Sequence, residues 1–212
     1  MPAHQLIVFV KAPRPGFVKT RLARGLGLDA ACQAYRQMAD AVLQRIGSLS
    51  EVELRFSPDD AEPEIRPWLR PGWTARPQGD GDLGQRMQAA FAEAFAGGAD
   101  RVALIGSDCP EITSGDIRQA WRELATYDVV LGPATDGGYW LIGLKAPQPA
   151  LFENISWGSE TVLAETLQRA KAAPLRVQLL RILMDIDTQP QWRQWQAGTS
   201  PGSLPFRRGG SN

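Results

Sequence analysis

Apolar positions along the chain follow two rhythms, and their alternation predicts the architecture. Leu6-Ile7-Val8-Phe9-Val10 is an unbroken apolar run, the pattern of a strand buried on both faces. Over residues 29–46, Tyr35, Met38, Ala39, Val42, Leu43 and Ile46 recur at steps of three and four, which is one helical face. Val52, Leu54 and Phe56 alternate with polar residues, predicting a half-exposed strand. Residues 57–81, rich in Pro, Gly and Trp, read mostly as loop with one short helical piece. Met87, Phe91, Ala94 and Phe95 mark a helix stopped at Gly97-Gly98, and residues 102–105 form another buried strand. Thr113 caps a helix whose Ile117, Ala120, Trp121 and Leu124 face inward. Strands at 129–131 and 139–144 flank the turn Asp136-Gly137-Gly138. A helix over 159–171 and strands at 175–180 and 182–187 complete the order, with no internal repeat.

Strand and helix alternating in this way predict an α/β fold: a three-layer α/β/α sandwich on a Rossmann-like, mixed but mainly parallel sheet. The reversal comes from the two strands joined through Asp136-Gly137-Gly138. The 212 residues amount to roughly one and a half average domains, so a single domain over 1–197 is expected. The Gly-, Pro-, Ser- and Arg-rich residues 198–212 read as a loose tail.

Charge and composition narrow the function classes. The 23 basic residues balance the 23 acidic ones, which argues against nucleic acid as a partner. No apolar run is long enough for a signal core or a membrane span, so a cytoplasmic location is expected. Cys32 and Cys109 have no companions at metal-ligand spacing and read as reduced thiols. His4, the single histidine, leaves no basis for a Ser-His-Asp relay or a three-histidine zinc site.

In open α/β sheets ligands sit beyond the carboxyl ends of the strands, so the segments after each buried strand matter most. Residues 11–24, after the first strand, hold Lys11, Arg14, Lys19, Arg21 and Arg24 and no acid. Five cations in one loop of a neutral protein point to an anion, and phosphate suits Lys and Arg best. Two prolines and Gly16 stiffen this loop and let backbone amides such as that of Ala12 approach a ligand. The segment is not a P-loop, because Gly16-Phe17-Val18-Lys19-Thr20 lacks the required glycines. The plainer reading is a solvated basic loop.

After the 102–105 strand, Gly106-Ser107-Asp108-Cys109-Pro110 places a carboxylate where a hard divalent cation is well held. The alternative is a turn or helix cap. Asp185-Ile186-Asp187 sets two carboxylates at i and i+2, on one side of an extended chain with Ile186 toward the core. Asp108 and Asp187 together could hold one Mg²⁺ or Mn²⁺ and leave room for diphosphate oxygens. The segment from Gly79 to Arg86, including Asp82 and Gly84, offers amides to a base or ribose, or is simply a loop and cap. The segment from Gly132 to Trp140 combines Asp136, Gly137, Gly138 and Tyr139, suited to an acceptor or sugar, or is only a hairpin turn.

These strings resemble one bacterial family. F-V-K-A-P-R-P-G-F-V-K-T-R-L at 9–22, G-D-L-G-Q-R-M at 81–87, G-S-D-C-P at 106–110, G-P-A-T-D-G-G-Y-W-L-I-G-L at 132–144 and D-I-D-T at 185–188 are similar to those of the GT-A-like glycosyltransferases, also called selenodomain-associated transferases and first catalogued as a domain of unknown function. The resemblance spans about residues 5–195 and implies the nucleotide-diphospho-sugar transferase fold, with a nucleotide bound through a divalent metal. By motif, Lys11, Arg14, Lys19 and Arg21 would hold phosphates, Asp108 and Asp187 the metal, and Asp136 to Tyr139 would border the acceptor. One departure stands out. Glycosyltransferases of this fold usually carry Asp-x-Asp, whereas Gly106 and Pro110 occupy both partner positions of Asp108. A lone Asp with a later carboxylate before Thr is closer to nucleotidylyltransferases, and Lys19-Thr20-Arg21-Leu22 resembles the loop of enzymes that guanylylate 2-phospholactate.

The sequence therefore predicts a metal-dependent transferase using a nucleotide-activated donor and a small-molecule acceptor. Glycosyl transfer is the first reading. Nucleotidylyl transfer with release of pyrophosphate and non-catalytic nucleotide-sugar binding are the alternatives. Lys19, Arg21 and Asp136 are the expected catalytic groups. Lys11, Ala12, Arg14, Gly16, Asp82 and Gly84 join Lys19 and Arg21 in nucleotide or phosphate binding. The base, sugar, acceptor and oligomeric state stay open.

Overall fold

The computed structural model describes residues 3–198; of the tail expected over 198–212, all but Gly198 lies outside the described residues. The strands are β1 (His4–Lys11), β2 (Val52–Ser57), β3 (Thr74–Pro77), β4 (Arg101–Ile105), β5 (Val129–Pro133), β6 (Tyr139–Leu144) and β7 (Val177–Leu179). The helices are α1 (Thr20–Leu26), α2 (Leu28–Arg45), α3 (Glu62–Ile65), α4 (Leu83–Ala96), α5 (Ser114–Glu123), α6 (Val162–Ala172) and α7 (Gln189–Gln196). One seven-stranded sheet runs β3-β2-β1-β4-β6-β5-β7. Only β6 is antiparallel to its neighbours β4 and β5.

Both faces of the sheet are covered. Along β1, Leu6, Val8 and Val10 enter one core while Ile7 and Phe9 enter the other. β4 divides in the same way, Ala103 and Ile105 against Val102 and Leu104. This is the period of two expected of a strand buried on both sides. The first face carries Val42 and Leu43 from α2 and Ile46 at its C-cap with Ile117, Ala120 and Trp121 from α5. The second carries Met87, Phe91 and Ala94 from α4 with Ala170 from α6. A third cluster joins α1, α2 and α7 through Leu22, Tyr35, Met38, Ile186 and Trp192.

Four local expectations change. β2 is buried throughout Val52–Phe56, since its polar positions Glu53 and Arg55 pair with each other under α4, where Glu93 completes the pairing. β3 lies at the sheet edge within the segment read as loop; its mostly exposed Thr-Ala-Arg-Pro carries no apolar alternation. α1 and α7 are helices where none was expected. α7 begins at a Thr188/Gln191 capping box with Pro at its start, signals that outweigh its polar composition. Residues 182–187 form no strand, only a bridge from Leu183 to Ala134. They nonetheless pass beside the carboxyl ends of β4 and β5, where the Leu183 N–H donates to the Pro133 carbonyl (3.1 Å) and the Ile186 N–H to the Asp108 carbonyl (3.1 Å), which is what places Asp185 and Asp187.

Candidate functional site

The loop after β1 returns to the sheet at Lys19, whose backbone is left-handed (φ 48°, ψ 46°) as it caps α1. For a residue with a Cβ this conformation costs roughly 1–2 kcal/mol. It lets the side chain, only 4% exposed, reach across the end of the sheet. There the Lys19 ammonium lies 2.7 Å from Asp187 Oδ1 and 3.2 Å from Asp108 Oδ2. Arg21 approaches Asp187 Oδ2 at 3.6 Å. Burial alone would lower the Lys19 pKa, but the two carboxylates outweigh it and hold the group protonated, above its ordinary range.

Neighbouring bonds fix both acids. The Ile186 N–H donates to the Asp108 carbonyl (3.1 Å), stitching the late segment to the loop after β4. The Asp187 N–H donates to Gln191 Oε1 at 3.0 Å. Further back, Arg181 donates to both oxygens of Asp116 (2.7 and 2.8 Å) and to the Glu111 carbonyl (3.0 Å). Burial would raise the Asp116 pKa, yet Arg181 and the Thr113 donors hold that carboxyl below its usual range. This clamp ties the approach to Asp185 and Asp187 onto α5.

A cleft of about 420 Å³ opens beside the acid pair, within the size range of small-ligand sites. One wall comes from the β1 and α4 side: Phe9, Lys11, Gln78, Leu83, Arg86 and Met87. The opposite wall brings Asp136, Gly138, Tyr139, Trp140 and Asp185, while Trp157 lines the cleft beside Gly84 of α4. Behind the acid pair lies a basic recess of about 240 Å³, lined by Lys11, Lys19, Thr20 and Arg21 and sharing Tyr35, Asp108 and Asp187 with the cleft. The Tyr35 hydroxyl accepts from the Lys11 N–H (2.7 Å) and shares a hydrogen bond with Ser107 Oγ (3.0 Å), joining the β1 and β4 loops. Burial, reinforced by Asp108, raises the Tyr35 pKa and keeps the phenol neutral.

Asp185 is the least balanced group in the cleft. It is 9% exposed and its Oδ1 has no hydrogen-bond partner. Burial, then the charges of Asp136 and Asp187, push its pKa up to about 6. Cys109, buried beside these acids, is raised well above its ordinary value and is no activated thiolate.

The residues singled out from sequence divide into three groups. Lys11, Lys19, Arg21, Asp108 and Asp187 meet at the recess. Asp136, Gly138 and Tyr139 line the cleft, and the Asp136 Oδ1 accepts from the Gly138 N–H (2.8 Å) to shape the turn. A Cβ on Gly137 (φ 90°) would collide with the Glu160 backbone. The remainder stand apart from both cavities. Arg14 turns onto Glu64 (2.6 Å) and Asp60 (3.1 Å), Ala12 is buried, and Gly16 occupies open space at φ 84°. Asp82 closes a capping box with Gln85 at the start of α4. A Cβ on Gly84 would meet Trp157 Nε1 at 2.6 Å and the Phe152 carbonyl at 2.8 Å, so this glycine serves close packing beside the cleft. Tyr35, Gln78 and Arg86 also enter the cleft, though their helical spacing or loop setting carried no chemical signal; Asp185 was visible only as the i−2 companion of Asp187.

A family model described as "Uncharacterized protein conserved in bacteria (DUF2064)" matches residues 38–159, more than half of the chain. The chain belongs to the DUF2064 family. Among solved structures, this DUF2064 chain is similar to a provisionally designated nucleotide-diphospho-sugar transferase from Desulfovibrio desulfuricans G20, at 37% identity and a TM-score of 0.81, covering 89% of this chain and 84% of that one. The fold is accordingly that of the nucleotide-diphospho-sugar transferases. More distantly it matches a CMP:2-keto-3-deoxy-manno-octonic acid synthetase complexed with CTP, at 11% identity and a TM-score of 0.54 over 92% of this chain and 97% of that one. Rv0371c from Mycobacterium tuberculosis H37Rv in complex with manganese matches at 11% identity and a TM-score of 0.50, with the same coverages of 92% and 97%. No curated protein sequence matches this DUF2064 chain. No helix among the described residues is long and apolar enough to cross a membrane.

The donor set can be tested against a divalent cation. Among the described residues no three His, Cys, Asp or Glu side chains are grouped as a metal site. Asp108 and Asp187, however, converge on one cationic point, the Lys19 ammonium. Two hard carboxylates suit Mg²⁺ or Mn²⁺ that completes its shell with water and substrate phosphate. The residues fit such an ion.

Proposed function

We propose that this protein is a transferase that acts on a nucleotide-activated donor with a divalent cation held by Asp108 and Asp187, and that it transfers a glycosyl group. The observation that carries this reading is the convergence of both carboxylates on one buried cation at the seam between cleft and recess. The 37%-identical relative, itself provisionally designated a nucleotide-diphospho-sugar transferase, supports the choice of donor.

In this reading Lys19 and Arg21 face the departing diphosphate and stabilise the negative charge that builds on it. Lys11, at the border of both cavities, orients the phosphates. A divalent ion between Asp108 and Asp187 would add Lewis-acid neutralisation of the leaving oxygens when bound. Asp136, exposed at the cleft wall, accepts the proton of the acceptor hydroxyl. Burial of the cleft floor by Phe9, Met87 and Leu104 limits attack by water.

The basic recess favours a second reading. Lys11, Lys19, Thr20 and Arg21 would also receive the terminal phosphates of a nucleoside triphosphate, and the reaction would then be nucleotidylyl transfer. The products separate the two. The protein is incubated with UDP- and GDP-sugars, or with CTP and GTP, plus Mn²⁺ and a mixed pool of small acceptors. Release of a nucleoside diphosphate supports glycosyl transfer, and pyrophosphate supports the second reading. Nucleotide binding without either product, unaffected by Asp187→Asn, would overturn both.

A further inference from the structure

The two walls of the cleft differ in charge. Toward β1 and α4 the lining includes the cations Lys11 and Arg86; toward β5 and β6 it includes the acids Asp136 and Asp185 and no Lys or Arg. Asp185 is more than nine-tenths buried and its Oδ1 lacks a hydrogen-bond partner. Among the described residues no cation pairs with it directly, and Lys19 tempers its charge only from a distance. Arg181, four residues earlier, gives its guanidinium to Asp116 and Glu111. Lys19 is committed to Asp108 and Asp187. A carboxylate withdrawn from water and left without a direct ion-pair partner is costly, so the missing partner is expected from outside the chain.

We infer that Asp185 and Asp136 form a cation subsite that selects an acceptor carrying a protonated amine, such as an amino sugar or amino alcohol. This inference rests on the transferase reading and names its acceptor class. Tyr139 and Trp140 line the same wall, and aromatic rings favour an organic ammonium over an anion. A second metal ion is the competing occupant of two carboxylates, and the Mn²⁺ affinity of Asp185→Asn separates it from an ammonium. An ammonium needs only acceptors around it. A phosphorylated acceptor would meet two carboxylates without a facing cation on this wall.

The test is calorimetric binding in the presence of Mn²⁺ and the tightest-binding nucleotide, with glucosamine, glucose and glucose 6-phosphate, and with ethanolamine, ethylene glycol and phosphoethanolamine. Nucleotide affinity is measured first and alone, so failure of the donor reading is seen separately. The amines are expected to bind at least about tenfold more tightly than their neutral counterparts, and the phosphorylated members not at all. Asp185→Asn should remove that preference while leaving Mn²⁺ affinity within about twofold. Asp136→Asn, at an exposed position, should weaken it independently should the first variant not fold. Equal or better binding of the neutral or phosphorylated compounds, no binding by either amine, or an Mn²⁺ affinity that falls tenfold in Asp185→Asn would each overturn the inference.

Discussion

Arg55 and Lys19 are both buried cations, their side chains 5% and 4% exposed, and each is held between two carboxylates. Around Arg55 the charges close on themselves. Glu53 is 8% exposed, and Arg76 approaches both Glu53 (3.4 Å) and Glu93 (3.6 Å), so two arginines answer two glutamates. Around Lys19 they do not, even though Arg21 joins it at Asp187 (3.6 Å). Asp108 and Asp187 are 49% and 33% exposed at a cavity wall, and Asp185 and Asp136 add acid beside them. Buried charge by itself therefore says little about function. A surplus of one sign facing a cavity says more, because only a ligand can complete it.

Substituting methionine for each cation breaks the comparison most directly. Arg55→Met strands Glu53 beneath α4 and should cost roughly 3–5 kcal/mol of stability by urea denaturation. Its nucleotide affinity at a temperature where it is folded should stay within about twofold. Lys19→Met should show the opposite profile: turnover lower by about 10²–10³ with a stability loss on the order of 1 kcal/mol, because its two carboxylates can hydrate. If Lys19→Met instead unfolded the protein and Arg55→Met abolished turnover, the two networks would have been assigned backwards.

The acid surplus also has a signature in pH. With its pKa raised from 3.8 to about 6, Asp185 keeps a proton in the native state that the unfolded chain has already lost in that window. Stability from this group therefore falls as pH rises from about 4 to about 6, and the penalty is complete above that. The loss amounts to on the order of 2 kcal/mol. Asp185→Asn should flatten the dependence between pH 4 and pH 8 and be the more stable protein at pH 8. A variant that kept the wild-type slope would place the titration elsewhere.

The smallest effect sharpens the boundary of the site. Asp82 satisfies the α4 N-terminus through the Gln85 N–H at 2.9 Å. Asp82→Ala should lower stability by about 1 kcal/mol with nucleotide affinity unchanged. A tenfold loss of affinity at constant stability would return Asp82 to the ligand.

Much of this was legible in the chain. The buried runs of β1 and β4 and the helical face of α2 emerged from periodicity, as did the strand reversal around Asp136-Gly137-Gly138. What escaped depended on partners distant in sequence. Glu53 and Arg55 look solvent-facing until each is seen to neutralise the other and Glu93 to complete the network. The basic loop announced five cations, but not that Arg14 would turn to Asp60 and Glu64 while Lys19 turned to the acids. Asp185 and Asp187 were expected on one side of a strand. They share a cavity wall without any strand, since the Ile186 N–H is taken by Asp108 and Arg181 anchors the approach.

The Lys19–Asp187 contact joins residues 168 positions apart. During translation at about 5–20 residues per second, roughly 8–34 seconds separate the synthesis of these two side chains. Until the later one emerges, the growing polypeptide carries the cationic loop without the acid pair that converges on Lys19. A chain interrupted before Asp187 would hold the basic loop without the later carboxylate that Lys19 meets.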